Sequence, residues 1–183
     1  MGVARPWHDE LMSPARSRHH RAASGSTPAT VALTSAGVDF VERPYPHEGG
    51  VTAYGDEAAD ALDEPADHIF KTLVTAEALG PRPRLIVAVV PVPRRLDLKA
   101  LAHRVGVKKL VMAQQAAAER ATGYLVGAIS PFGQKQQLPI VLDDRALALP
   151  HLLVSGGRRG LDLQLSPTDL IELTGATTGP ISR

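Results

Sequence analysis

The chain of 183 residues contains no cysteine. That absence excludes disulfide stapling, thiolate metal sites and catalysis by a cysteine of the protein's own. Aromatic residues make up only 4% of the chain, so aliphatic side chains must fill the core. Long hydrophobic runs are missing too: segments such as Leu85 to Val90 are far too short to cross a bilayer. The N-terminus carries arginines but no apolar segment, so no secretory signal is expected. These absences point to a soluble, cytoplasmic protein with no membrane contact. What is present, 44% hydrophobic and 21% charged residues, is the composition of one globular domain and excludes a disordered or collagen-like chain.

The formal net charge of +1 hides an uneven distribution. Residues 39–67 hold Asp39, Glu42, Glu48, Asp56, Glu57, Asp60, Asp63, Glu64 and Asp67, with Arg43 as the single base. Residues 82–120 reverse the sign, with Arg82, Arg84, Arg94, Arg95, Lys99, Arg104, Lys108, Lys109 and Arg120 against Asp97 and Glu119. A basic segment in a nearly neutral chain can present a face to a polyanion, and it can equally be an ordinary solvated surface.

Residues 1–26 are rich in Pro, Ser, Arg and His without sustained periodicity, which reads as a mobile tail. The domain, residues 27–183, opens at Thr27-Pro28, a helix cap followed by proline at the first helical position, and Gly37 closes that helix. Strands are expected over Val38–Arg43, Ile69–Ala76, Leu85–Val90, Lys108–Met112, Pro139–Leu142, Leu152–Ser155 and Leu161–Leu165. A turn at Gly80-Pro81-Arg82-Pro83 joins the second and third. Helices are expected over Gly55–Leu62, from the Asp97 cap to Val105, over Ala113–Arg120, and after Ser166-Pro167 as far as Gly175. Interleaved strands and helices make an α/β (α+β) fold with a mixed sheet. Residues 121–138 form a long irregular stretch, and long loops inside compact domains tend to be functional.

Three glycine-bearing loops stand out: Thr122–Gln134, Ser155–Asp162 and Val51–Glu57. Glycine lets backbone amides approach a ligand oxyanion, although turn geometry alone also explains such loops. None has the spacing of a P-loop or a dinucleotide fingerprint. His47, His68, His103 and His151 are scattered without His-x-x-x-His spacing, so no metal and no cofactor are expected. No Gly-x-Ser-x-Gly elbow surrounds Ser130 or Ser155, which argues against a serine hydrolase of that type. Three ionisable positions remain. Lys71 stands in an apolar strand, Asp162 between two leucines, and Tyr45 before Pro46-His47. Each is either an edge or solvent-facing group, or a polar head aimed into a pocket.

Phe70-Lys71-Thr72-Leu73, Thr122-Gly123-Tyr124-Leu125-Val126-Gly127, Ile129-Ser130-Pro131-Phe132-Gly133-Gln134-Lys135 and Ser155-Gly156-Gly157-Arg158-Arg159-Gly160-Leu161-Asp162 occur in this order. With them the chain resembles the YbaK/EbsC family, free-standing relatives of the editing domain of bacterial prolyl-tRNA synthetase. The resemblance runs from about Thr27 to Thr174. It implies a mixed, barrel-like sheet flanked by helices. It also implies trans-editing: hydrolysis of the ester joining a wrong amino acid to tRNA(Pro), with cysteine as the first-choice residue. The family's lysine falls on Lys71, its pocket tyrosine on Tyr45, its aspartate on Asp162, and its glycine-loop positions on Gly127 and Ser130. Thr122, Ile129, Pro131, Ser155, Gly156 and Gly157 are the expected substrate-binding neighbours. The segment Pro46-His47-Glu48-Gly49-Gly50 departs from the family's acid-rich spacer after the tyrosine.

An aminoacyl ester is already activated, so positioning and oxyanion stabilisation can suffice, with amides near Gly127 to Ser130 as donors. The family's proposal for cysteine has the substrate thiol attack its own carbonyl. Lys71 is expected to hold the terminal adenosine or its ester oxygens, and Asp162 to receive the α-amino group. Arg94, Arg95, Lys99, Lys108 and Lys109 are the expected contacts to the acceptor end of tRNA(Pro), with prolyl-tRNA synthetase as a partner and no DNA. Two alternatives stay open: a deacylase for alanine or another small residue, and a non-catalytic binding module associated with a synthetase.

Overall fold

Local chemistry sets most of the helix ends. In the computed structural model, which describes residues 25–47, 54–80 and 83–183, α1 spans Pro28–Ser35 and opens on Thr27. The Thr27 hydroxyl oxygen accepts from the Thr30 amide while the Thr30 side chain accepts from the Thr27 amide, a reciprocal cap. The same hydroxyl donates to the Gly156 carbonyl at 2.6 Å, which ties the helix start to a distant strand. Asp97 caps α3 (Leu98–Val105) by accepting from the amides of Lys99 and Ala100, and Gly106 ends it in the left-handed conformation. Ser166 caps α5 (Pro167–Thr174), which Gly175 closes in the same way. The other α-helices among the described residues are α2 (Tyr54–Leu62) and α4 (Gln115–Thr122). The expected tail as far as Ser24, residues 48–50 of the spacer after Tyr45, residues 51–53 of the third glycine loop, and Pro81-Arg82 of the expected turn lie outside the described residues.

Among the described residues, eight strands form one mixed sheet: β1 (Val41–Pro44), β2 (Ile69–Glu77), β3 (Leu85–Pro91), β4 (Leu110–Met112), β5 (Ile140–Asp143), β6 (Leu152–Arg158), β7 (Leu161–Leu165) and β8 (Thr177–Gly179). The lateral order is β1-β7-β6-β2-β3-β5-β8, and β4 pairs with β2 off this path. The pairs β2–β6, β3–β5 and β5–β8 are parallel, and the rest are antiparallel. The mixed sheet flanked by helices is the expected α/β architecture. The short strand β8 and the 3₁₀ turns Ala66–His68 and Asp144–Ala148 are additions that the sequence pattern did not indicate.

Sequence alternation separates the faces of the sheet. Phe70 and Val74 of β2, Val87 and Val89 of β3, Val154 of β6 and Leu163 of β7 join the main core with Leu33, Phe132 and Leu170. On the opposite side, Ile86, Ala88 and Val90 pack against Leu101 and Ala102 of α3, and Ile69 and Leu153 pack against Ala58 of α2. Aliphatic side chains dominate all three clusters, as the shortage of aromatics requires.

The irregular stretch after α4 is held by close backbone approach. Gly133 has φ +60°, and a Cβ there would lie 2.3 Å from the Pro28 carbonyl oxygen. Gly133→Ala is therefore expected to lower stability by about 2–3 kcal/mol, because both the dihedral and the contact with backbone are unfavourable. A urea titration with an unchanged midpoint would contradict this.

Candidate active site

One edge of β2 is shared by two strands that do not meet. β6 pairs with Ile69 and Phe70, and β4 pairs with Thr75 to Glu77, with one further bond from the Ala113 amide to the Val74 carbonyl. Between them, Lys71 to Leu73 face no strand on that edge among the described residues. β6 departs at Ser155, where its pairing with β7 is also interrupted by a bulge before Arg158. The gap opens into a cavity of about 480 Å³, within the usual range for ligand sites.

Register places three polar side chains along one row. Phe70, Val154 and Leu163 are cross-strand neighbours on β2, β6 and β7, and all three point into the main core. One residue along, the alternation turns Lys71, Ser155 and Asp162 to the other face, and all three line the cavity. Further lining comes from the end of β4, from α4 and from the loop that follows it, through Met112, Gln115, Val126, Gly127 and Ile129. Tyr45 and Ala58 line it as well.

The electrostatics follow from burial. The Lys71 ammonium donates to the Val92 carbonyl at 2.9 Å, which holds its head at the cavity wall. Asp162 is only 5% exposed, and desolvation raises its carboxyl from the ordinary range to about 7. Burial also holds the Tyr45 phenol well above its usual range, helped by the charges of Asp162 and Glu57. Glu57 pairs with the His47 ring nitrogen Nδ1 at 2.8 Å beside that tyrosine.

Of the expected site residues, Lys71, Asp162, Tyr45, Gly127, Ile129 and Ser155 line this cavity, and Thr122, Ser130, Pro131, Gly156 and Gly157 do not. The reasons are physical. The Thr122 hydroxyl is buried at the end of α4, donating to the Ala118 carbonyl and accepting from the Tyr124 amide. Ser130 is fully buried, and its hydroxyl accepts from the Phe132 amide. Pro131 lines a second, smaller cavity of about 190 Å³. The Gly156 carbonyl accepts from Thr27, and Gly157 (φ +89°) lies so close to Tyr124 that a Cβ would come within 2.5 Å of its ring. These positions shape the loops rather than face the cavity. The Ala128 amide is likewise committed, to the Leu125 carbonyl, which removes it from the expected oxyanion donors.

The five expected tRNA-binding cations do not form one patch. Arg94, Arg95 and Lys99 follow the Pro91 end of β3, which pairs with Phe70. Lys108 and Lys109 precede β4 at the Glu77 end of β2, where the Lys109 carbonyl accepts from Ala78. Those ends are about 23 Å apart at the usual rise per residue. Among the polar cavity residues, Thr72, Gln115 and Arg158 were not among the expected site residues. Thr72 has a buried hydroxyl with no hydrogen-bond partner among the described residues, and Arg158 sits within the glycine loop. Adjacency to Lys71 was the one available signal for Thr72.

This chain is similar to proteins of known family. The model of the aminoacyl-tRNA editing domain matches residues 47–173, a span that holds every cavity residue named above except Tyr45. The chain belongs to the aminoacyl-tRNA editing domain family. It is 39% identical over 119 residues to the "Putative Cys-tRNA(Pro)/Cys-tRNA(Cys) deacylase EbsC" of Enterococcus faecalis, covering 65% of this chain and 71% of that protein. A solved structure described as a "putative trans-editing enzyme for prolyl tRNA synthetase" superposes with a TM-score of 0.73 at 28% identity, covering 87% of this chain and 99% of that one. The hypothetical protein APE2540 superposes with a TM-score of 0.76 at 25% identity, covering 86% of this chain and 100% of that one. The resemblance to the YbaK/EbsC family is upheld, and with it an aminoacyl-tRNA deacylase function. As an aminoacyl-tRNA editing domain, the protein takes an aminoacyl-tRNA as its substrate. No helix among the described residues is long and apolar enough to cross a membrane.

Proposed function

We propose that the protein is a trans-editing deacylase that clears cysteine from tRNA(Pro). The observation that carries this reading is that the row of Lys71, Ser155 and Asp162 lines one cavity together with Gly127 of the loop after α4. That arrangement gathers a cation, a hydroxyl, a carboxyl and loop backbone around a bound acyl group. The name of the E. faecalis relative supports cysteine as the amino acid. In this reading Lys71 holds the ester or ribose oxygens of the terminal adenosine, and the amide of Gly127 faces the developing oxyanion. Asp162, once ionised, receives the α-ammonium group. The half-exposed side chains of Met112 and Val126 at the rim offer apolar contact to the adenosine.

The nucleophile is the substrate's own thiol. Its sulfur bonds to the carbonyl carbon, the ester C–O bond breaks, and the thiol proton passes to the departing ribose oxygen, leaving a cyclic thiolactone. An internal nucleophile enjoys a large effective molarity, so the enzyme contributes orientation and charge stabilisation rather than a base. This suits a chain without cysteine and without a serine elbow. The acceptor stem is held by phosphate contacts from the two basic groups, Arg94, Arg95 and Lys99 on one side and Lys108 and Lys109 on the other. Prolyl-tRNA synthetase delivers the mischarged tRNA.

The test is loss of labelled ester from Cys-tRNA(Pro), Ala-tRNA(Pro), Ser-tRNA(Pro) and Cys-tRNA(Cys). Cys-tRNA(Pro) is expected to be cleared, and Ser-tRNA(Pro) to react more than about 100-fold more slowly, since its hydroxyl is a far poorer internal nucleophile. Rapid loss of Ser-tRNA(Pro) would point to an activated water instead, and preferential loss of Ala-tRNA(Pro) to a different amino-acid specificity. No loss from any substrate would leave a binding protein. The relative's name pairs Cys-tRNA(Pro) with Cys-tRNA(Cys), so equal cleavage of both would place all selection in the amino acid.

A further inference from the structure

Two histidines that are remote in the sequence meet at one carboxylate. His68 ends the 3₁₀ turn before β2, and His151 immediately precedes β6. Because β2 and β6 run parallel and pair at Ile69 and Leu153, their leading residues come to the same end of the sheet. Glu64, between α2 and that turn, faces both. His68 Nδ1 lies 3.8 Å and His151 Nε2 3.6 Å from Glu64 Oε2, and the three donor atoms fall within 4.8 Å of one another. The two rings meet edge to face at 5.3 Å.

Both of those ring nitrogens are buried, and neither makes a hydrogen bond among the described residues. Buried polar atoms are nearly always paired, so two orphaned nitrogens aimed at a single carboxylate oxygen need an explanation. The carboxylate itself is oriented. Its other oxygen, Oε1, accepts from Arg43 Nη1 at 3.0 Å, while the same guanidinium donates to the Leu62 carbonyl and to Gln164. A carboxylate held by an outer donor so that its second oxygen faces two imidazoles is how metal ligands are commonly presented.

We infer that Glu64, His68 and His151 bind one divalent transition-metal ion, with zinc the best match. Zinc takes imidazole nitrogen and carboxylate oxygen at about 2.0–2.2 Å in a tetrahedron, which sets donor atoms about 3.3–3.5 Å apart. The two distances to Glu64 Oε2 need to close by only a few tenths of an ångström, and the third, no more than 4.8 Å, by no more than about 1.5 Å. Imidazole donors favour zinc over magnesium or calcium, which take oxygen ligands. All three side chains are partly exposed, at 13% for Glu64, 22% for His68 and 28% for His151, so the cluster lies close to the surface even though its ring nitrogens are covered. The positive charge of Arg43 beside Glu64 sets a moderate affinity rather than a tight one.

The three residues do not line the cavity, so the ion takes no part in the chemistry proposed there. Its place is structural. Ala58, Ile69 and Leu153 pack together beside it, and Ala58 and Ile69 are also cavity wall. The ion pins the end of α2 to the starts of β2 and β6 behind that wall.

The experiment uses the full chain stripped with a chelator and titrated with Zn²⁺ by calorimetry, with Co²⁺ as a visible-absorption probe. One equivalent is expected to bind. The melting midpoint should rise by about 5–10 °C when zinc stands about 100-fold above its dissociation constant. His68→Gln and His151→Gln should each weaken binding more than about tenfold, whereas His103→Ala and the pair His19→Ala/His20→Ala should not. No uptake by the wild type, undiminished binding by the His68→Gln/His151→Gln double variant, or loss of binding with His19 and His20 would overturn the assignment. If the double variant does not fold, imidazole NMR of the wild-type protein decides: zinc must shift the ring resonances of His68 and His151, and a shift confined to other histidines refutes the site.

Discussion

Replacing Lys71 with methionine is expected to lower kcat/KM for the aminoacyl ester by at least about 100-fold while the protein stays folded. Methionine keeps most of the stem that packs along β2 and removes only the charged head, so the comparison isolates the ammonium group. Its effect on the reaction is large because the cavity is a partly buried site, where a fixed cation opposite developing negative charge is worth far more than in water. Loss of one such donor typically costs about 2.7–4 kcal/mol in transition-state stabilisation. The effect on stability is small by comparison. The variant loses the hydrogen bond from Lys71 to the Val92 carbonyl, and β2 keeps its backbone pairing with β3. The measurements are single-turnover deacylation beside a thermal melt. A variant that melts like the wild type and still clears the ester at an undiminished rate would remove Lys71 from the reaction.

The second large effect concerns Asp162 and pH. Its carboxyl is raised to about 7 by burial, so between about pH 4 and pH 7 the folded protein retains a proton that the unfolded chain releases. The stability associated with the neutral carboxyl is fully present below about pH 4 and is lost as pH rises through about 7, by up to roughly 4 kcal/mol. Asp162→Asn keeps the shape and removes the ionisation. The variant is therefore expected to gain on the wild type as pH rises, and at pH 8 to be the more stable of the two. Urea midpoints at pH 5 and pH 8 decide the matter: parallel pH dependence in both proteins would show that Asp162 does not carry the effect. The same substitution removes the proposed partner of the α-ammonium group, so KM for the aminoacyl substrate is expected to rise. The cost of burying Asp162 and its proposed use belong together, because a carboxylate poorly solvated by water is best placed to bind an incoming cation.

Much of the fold was legible because its signals are local. Thr27-Pro28, Asp97, and Ser166-Pro167 with Gly175 act within a few residues of themselves, and the structure places α1, α3 and α5 where those signals set them. The β-branched runs at Ile69 and Leu85 are likewise strands, with ends within a residue of expectation. β8 was missed because Thr177-Thr178-Gly179 is too short to show alternation and becomes a strand only through its parallel pairing with β5. Ser130 and Thr122 were misplaced for a related reason. A hydroxyl in a glycine-rich loop looks the same in sequence whether it faces a ligand or satisfies the loop's own backbone.

Taken alone, the sequence determined the α/β class, the helix caps, the aliphatic core, and the family to which Lys71, the glycine loops and Asp162 belong. Each of these depends on residue type, on near-neighbour spacing or on the order of motifs along the chain. The tertiary structure alone decided where β6 leaves β2 to open the cavity, and which loop residues face it. It also split the cations between two ends of the sheet and joined His68, His151 and Glu64 at one point. Those outcomes depend on strand pairing between segments far apart in the chain, and pairing of that kind is selected by the packing of the whole sheet rather than by any local pattern.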